Sequence, residues 1–153
     1  MRHPAPRLLD TAVEIIGEVK TSTPDDLIAR QRRTLVSDIV IDPAYAPALH
    51  GIEAYSHLIV LFWMHRARRD DSPLMHPRGN PALPLTGVLA ARGRAHPNPI
   101  GLAVVDERRA NVLTVRRLDA YDGTPVIDIK PYDDYDVHPE PRVPAWFRAP
   151  RDA

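Results

Sequence analysis

The chain has 153 residues, of which 44% are apolar and 26% charged, with no cysteine and a formal net charge of zero. That length suits one hydrophobic core rather than two. The missing cysteines exclude a disulfide framework and a thiolate zinc site, and the balanced charge argues against a surface that is basic throughout.

The first ten residues, MRHPAPRLLD, contain no apolar signal core. The longest apolar run, LIVLFWM at 58–64, falls far short of the roughly 20 residues needed to cross a bilayer. A cytoplasmic protein without a membrane partner is expected, and the absence of cysteine fits a reducing compartment. Eighteen arginines stand against two lysines. That bias suits either bidentate recognition of anions or simply a GC-rich coding sequence. Seventeen prolines imply many fixed turns rather than long helices.

In chain order, Pro-rich tails are expected at 1–10 and 137–153, flanking one domain over 11–136. AVEIIGEV (12–19) and LVSDIVID (35–42) show partial alternation with β-branched residues and predict strands. PALHGIEAYS (47–56) could form a short buried helix. HLIVLFWMH (57–65) is a continuous apolar run, as expected of a strand buried on both faces. GLAVVDE (101–107) and NVLTVRRL (111–118), separated by RRAN, predict a hairpin, and PVIDIKPY (125–132) gives a last strand. The fold class expected is therefore mainly β: a small single-domain β-barrel or sandwich. No strand leads into a Gly-x-Gly-x-x-Gly turn, so a Rossmann dinucleotide unit is not expected.

The seven histidines show neither His-x-His nor His-x-x-x-His spacing, so no metal site is expected. His57 and His65, eight residues apart on the expected strand, would share a face. His57 suits a hydrogen-bonded structural role, whereas His65, where the strand meets solvent, suits binding. In RGRAHPNPIG (92–101), Pro97 and Pro99 exclude helix and hold Asn98 between them. Asn98 is thus preorganised for a hydrogen bond, and Arg92 and Arg94 could grip a carboxylate or phosphate. The same residues could equally build a rigid crossover. In the last strand, strict alternation would turn Val126, Asp128 and Lys130 one way and Ile127 and Ile129 the other. An Asp128–Lys130 ion pair on a solvated face is worth under about 1 kcal/mol; a polar cleft wall is the other reading.

Three stretches carry a resemblance: GIEAYSHLIVLFWMH (51–65), TGVLAARGRAHPNPIGL (86–102) and LDAYDGTPVIDIKPY (118–132). In that order, with IIGEVKTSTPDD (15–26) and ARQ (29–31), they resemble the TsaA-like (TrmO-type) family of tRNA methyltransferases over roughly residues 13–136. The resemblance implies a small β-barrel, a homodimer, and binding of S-adenosylmethionine without a Rossmann fold. It also implies methylation of N6 of threonylcarbamoyladenosine beside the anticodon of tRNA. By resemblance the cofactor contacts are Arg30, Gln31, His65, Arg66, Arg92, Leu102, Arg116, Arg117, Leu118 and Asp119.

Residue chemistry then suggests Asp128 or Asp122 as a base, with Lys130 and Asn98 completing the catalytic set. Arg94 and His96 fall to the substrate. This chain reads Ala91-Arg92-Gly93 and His96 where the family commonly carries Thr-Arg-Ser and an arginine. A permanent cation is thereby replaced by a group mostly neutral at pH 7. Two alternatives remain: the same methyl transfer to another RNA or small molecule, or a non-catalytic S-adenosylmethionine- or RNA-binding module.

Overall fold

The computed structural model describes residues 12–68, 72–92, 100–108 and 112–148. Among the described residues eight strands and two α-helices follow one another, with short 3₁₀ turns between them. They are β1 (Gly17–Lys20), α1 (Asp25–Gln31), β2 (Val36–Ile41), β3 (His57–Trp63), β4 (Leu74–Met75), β5 (Thr86–Gly87), β6 (Ile100–Arg108), β7 (Leu113–Arg116), β8 (Pro125–Pro131) and α2 (Ala145–Arg148).

Six strands make one antiparallel sheet in the order β1-β2-β7-β6-β3-β8, and β8 pairs again with β1. The mainly β expectation holds. Every neighbour in this sheet is antiparallel, so the even connections emerge at one end and the odd ones at the other. β1, β7 and β3 finish at the end where β2, β6 and β8 begin. The expected hairpin across 101–118 is the β6–β7 pair, with Asp106 opposite Arg116 and Arg108 opposite Thr114.

The interior is lined by alternate residues: Val19, Ile39, Leu58, Val60, Phe62, Val105, Leu113, Val115 and Val126 are all buried there. Each such apolar side chain contributes about 1.5–3 kcal/mol on leaving water. β3 alternates cleanly, with Leu58, Val60 and Phe62 buried and Ile59 and Leu61 half-buried. The strand is therefore not enclosed on both faces, as its continuous apolar run suggested. Its outer face is only partly covered.

Three further expectations are corrected. Residues 47–56 are not an α-helix but parts of two 3₁₀ turns, Pro43–Leu49 and Ile52–Ala54. Pro47 removes a helical donor, and Gly51, at φ 88°, turns the chain between them. His65 does not lie on β3, which ends at Trp63; its N–H bonds the Trp63 carbonyl in the following turn. Alternation therefore does not relate it to His57. In β8, Leu61 pairs with Asp128 but Phe62 pairs with Val126, so Ile127 is a bulge. The extra residue puts Val126 inside and Asp128 and Lys130 outside, against the strict alternation expected.

α1 forms from DDLIARQ, with Asp25 and Asp26 in its first turn and Arg30 in its last, both favourable to the helix dipole. Ile28 buries it. β4 and β5 form a separate two-stranded ribbon. The short α2 is tied back to the loop after β4, where Arg78 donates to the Phe147 carbonyl at 2.9 Å and lies 5.8 Å from the Trp146 ring. Among the described residues no helix is long and apolar enough to cross a membrane.

Candidate functional site

Three connections meet at the end where β1, β3 and β7 finish: the α1 segment after β1, the His65–Arg66 turn after β3, and residues 117–124 between β7 and β8. Hydrogen bonds tie them together. Thr21 N–H donates to Asp122 Oδ1 at 3.0 Å, Gly123 N–H to the Val19 carbonyl at 2.8 Å, and Arg117 N–H to the Leu35 carbonyl at 2.9 Å. Arg66 bridges all three connections. Its guanidinium meets Asp25 of α1 at 2.8 Å and lies 5.2 Å from the Tyr121 ring.

Most of the residues singled out in the sequence gather here. Arg30 and Gln31 are exposed on the last turn of α1, and the Gln31 carbonyl accepts from the N–H of Leu35, whose own carbonyl accepts from Arg117. Arg117 is held at φ 72°, a left-handed conformation rare outside glycine. This kink sends Arg117 to solvent and Leu118 into the core. Asp119 follows with its Oδ1 enclosed and unbonded, and Arg116 Nε is likewise enclosed without an acceptor among the described residues. An enclosed donor and an enclosed acceptor within four positions are costly without partners, and Ser37 Oγ on β2 is enclosed in the same way.

Other predicted residues lie elsewhere. Arg92 is exposed just beyond the short 3₁₀ turn Val88–Ala90. Leu102 pairs with Leu61 on β6, and its side chain lies outside the described residues. Asn98, Arg94 and His96 also lie outside them.

Asp128 and Lys130 share the outer face of β8 in an ion pair of 2.6 Å, and Asp128 Oδ1 also accepts from the Ile129 N–H at 2.8 Å. Asp122 stands at the end with the cofactor candidates, its Oδ1 capping Thr21. The Lys20 ammonium is held above the usual lysine range by its hydrogen bond to Glu18, with the Glu18 and Asp122 charges adding to the effect.

One cluster was missed by sequence reasoning. Arg116, Asp106 and His57 form a row across β7, β6 and β3. Asp106 accepts from Arg116 through Oδ2 at 2.9 Å and from His57 Nε2 through Oδ1 at 2.8 Å. Its sequence signal is an acid that follows the apolar run GLAVV. Among the described residues no group of three His, Cys, Asp or Glu could hold a metal.

Comparison with known proteins places this architecture. Residues 18–136 match the model of the tRNA-methyltransferase O N-terminal domain. The chain belongs to that family. Among other members, a probable S-adenosyl-L-methionine-binding protein of Methanothermobacter thermautotrophicus is 46% identical over 97 residues, 63% of this chain and 69% of that protein. The tRNA (adenine(37)-N6)-methyltransferase of Escherichia coli is 38% identical over 94 residues, 57% of this chain and 40% of that enzyme. A crystal structure of TrmO from Pseudomonas aeruginosa superposes with a TM-score of 0.68 at 30% identity, over 88% of this chain and 62% of that one. The chain thus spans less than half of the E. coli enzyme and under two-thirds of the TrmO structure.

Proposed function

We propose that this tRNA-methyltransferase O-type domain binds S-adenosylmethionine and directs its methyl group to N6 of threonylcarbamoyladenosine in tRNA. The observation that supports the reading is the convergence of the α1 segment, the His65–Arg66 turn and residues 117–124 at one end of the sheet, where most of the cofactor residues implied by the resemblance lie. Arginine and aspartate side chains at this end suit a zwitterionic amino-acid head, whose carboxylate accepts and whose ammonium donates. The residues present therefore fit the methionine part of the cofactor.

Arg30, Gln31, His65, Arg66, Arg92, Leu102 and the segment Arg116 to Asp119 would hold the cofactor, with Leu118 securing the segment from inside the core. The bound cofactor supplies an electrophilic methyl group on a sulfonium. The protein's part is alignment of the acceptor and exclusion of water. The acceptor N–H must also lose a proton, and Asp122, at the same end as the cofactor residues, is one group to take it. Asp128 is the other, with its charge held by Lys130. Asn98, Arg94 and His96 would face the substrate.

We read the self-pairing sheet as the expected barrel, folded as one domain over 11–136. With no edge of the six-stranded sheet left open among the described residues, a second copy would meet a face of it. The outer side of β3 and β6 offers Ile59, Leu61, Trp63 and Val104, the last two 37% and 40% exposed, as the surface of a homodimer. Location in the cytoplasm, where tRNA is found, belongs to the same reading.

Calorimetry should register binding of S-adenosylmethionine, and Arg92→Ala should weaken it by about 1.5–3 kcal/mol if a charge-assisted contact is lost. A folded protein that takes up no cofactor would end this reading. Mass spectrometry of tRNA nucleosides from cells with and without the gene identifies the acceptor. His96, standing where the family commonly has arginine, favours a different acceptor on the same cofactor site as the second reading. His96→Arg should then raise tRNA affinity at pH 8 without changing cofactor affinity.

A further inference from the structure

Arg116 ends β7 with four rotatable side-chain bonds, and an unrestrained arginine loses rotamer entropy when it is fixed. Here the fixing is done in advance by a neighbouring strand. Asp106 is opposite Arg116 in the β6–β7 register and opposite His57 in the β3–β6 register. Its carboxylate is 23% exposed and takes one donor on each oxygen, Arg116 on Oδ2 and His57 Nε2 on Oδ1. It cannot rotate toward one partner without leaving the other. His57 is held in turn: its Nδ1 lies 2.9 Å from Ser56 Oγ, and its ring meets Tyr132 edge-on at 6.2 Å. The chain Ser56, His57, Asp106, Arg116 therefore anchors one end of the guanidinium, on a side chain that is 42% exposed.

We propose that Asp106 and His57 are positioning residues, which hold the Arg116 guanidinium in place for the cofactor before it binds. The inference rests on the assignment of Arg116 to the cofactor site. It explains why an aspartate ends the otherwise apolar run GLAVV on β6. Preorganisation of this kind raises affinity by removing an ordering cost that binding would otherwise meet.

A double-mutant cycle on cofactor affinity, measured by calorimetry with S-adenosylmethionine, tests the coupling. Arg116→Ala should lower affinity by about tenfold or more, as expected for a charge-assisted contact. Asp106→Asn, which keeps the shape but cannot serve both donors, should lower it by about three- to tenfold for one neutral hydrogen bond. In the Arg116→Ala background, Asp106→Asn should have no further effect, because its action passes through Arg116. A purely structural aspartate would cost the same in both backgrounds.

His57 gives a second lever should Asp106→Asn fold poorly. His57→Gln retains a donor for Asp106 and should keep near-native affinity, whereas His57→Leu should lose it. Equal losses from Asp106→Asn in both backgrounds, or equal affinities for the two His57 variants, overturn the proposal alone. No loss in Arg116→Ala overturns it together with the assignment of Arg116. No binding by the unaltered protein overturns the wider functional reading as well.

Discussion

Gly101 leaves its side-chain position to the ring of Phe62, its register partner across β3 and β6. A Cβ at Gly101 would overlap the ring itself, while Phe62 is 5% exposed and part of the core. The glycine that closes the stretch RGRAHPNPIG is therefore set by packing, not by turn geometry. It lets a large aromatic residue fill the interior at the end where the candidate site lies.

Gly101→Ala should destabilise the fold by about 1–3 kcal/mol, the usual cost of overpacking a filled core. Combining it with Phe62→Leu should recover part of that loss, since the smaller side chain clears the space. Urea unfolding midpoints of the two variants provide the comparison. An unchanged midpoint for Gly101→Ala would mean that the ring moves aside freely.

The ion pair between Asp128 and Lys130 is exposed, so Lys130→Ala should cost under about 1 kcal/mol in unfolding experiments. Catalysis separates the two candidate bases. Removing a general base typically lowers kcat by about 10²–10⁴-fold. If the proton passes to Asp128, Asp128→Asn shows that loss with unchanged cofactor affinity, and Asp122→Asn does not. The reverse pattern gives the proton to Asp122, and full rates in both variants exclude both.

The six strands of the main sheet were legible because runs rich in β-branched residues favour a pleated surface, although the first begins at Gly17 and not at Ala12. α1 was not: seven residues, an N-cap at Pro24 and no side-chain cap leave little local signal, and its stability comes from burying Ile28. The bulge at Ile127 was equally hidden, because alternation assumes an even pleat and the extra residue is set by pairing with β3. Candidate residues spread across the chain were proposed by motif, but the meeting of Arg30, Gln31, His65, Arg66 and the segment 116–119 at one end follows from strand order. The Asp106 row required knowledge of the register across three strands, which a single sequence does not contain.

Arg66 joins α1 to the 117–124 segment through Asp25 and Tyr121, both contacts partly solvated. Arg66→Ala should therefore cost only about 1 kcal/mol in global stability, combining an exposed ion pair with a weak cation–π contact. Its local effect should be larger. Hydrogen exchange should speed up for the amides of residues 25–35, because the short helix loses a tether. Unchanged exchange there would show that Ile28 alone holds α1 in place.

Arg117 gives the sharpest separation of stability from function. A non-glycine residue in the left-handed region bears a cost of about 1–2 kcal/mol, and glycine adopts the same angles freely. Arg117→Gly relieves that strain but loosens the unfolded chain, so stability should hold level or rise by up to about 1 kcal/mol. The backbone bond from Arg117 to Leu35 survives, and Leu118 and Asp119 keep their places. Any loss of cofactor or tRNA affinity in Arg117→Gly therefore belongs to the guanidinium itself. Loss for the cofactor alone makes Arg117 a side-chain contact of that site. Loss for tRNA alone, with a shallower dependence on salt, makes it a phosphate contact instead. Native affinity for both reduces Arg117 to the backbone kink that seats Leu118 and Asp119.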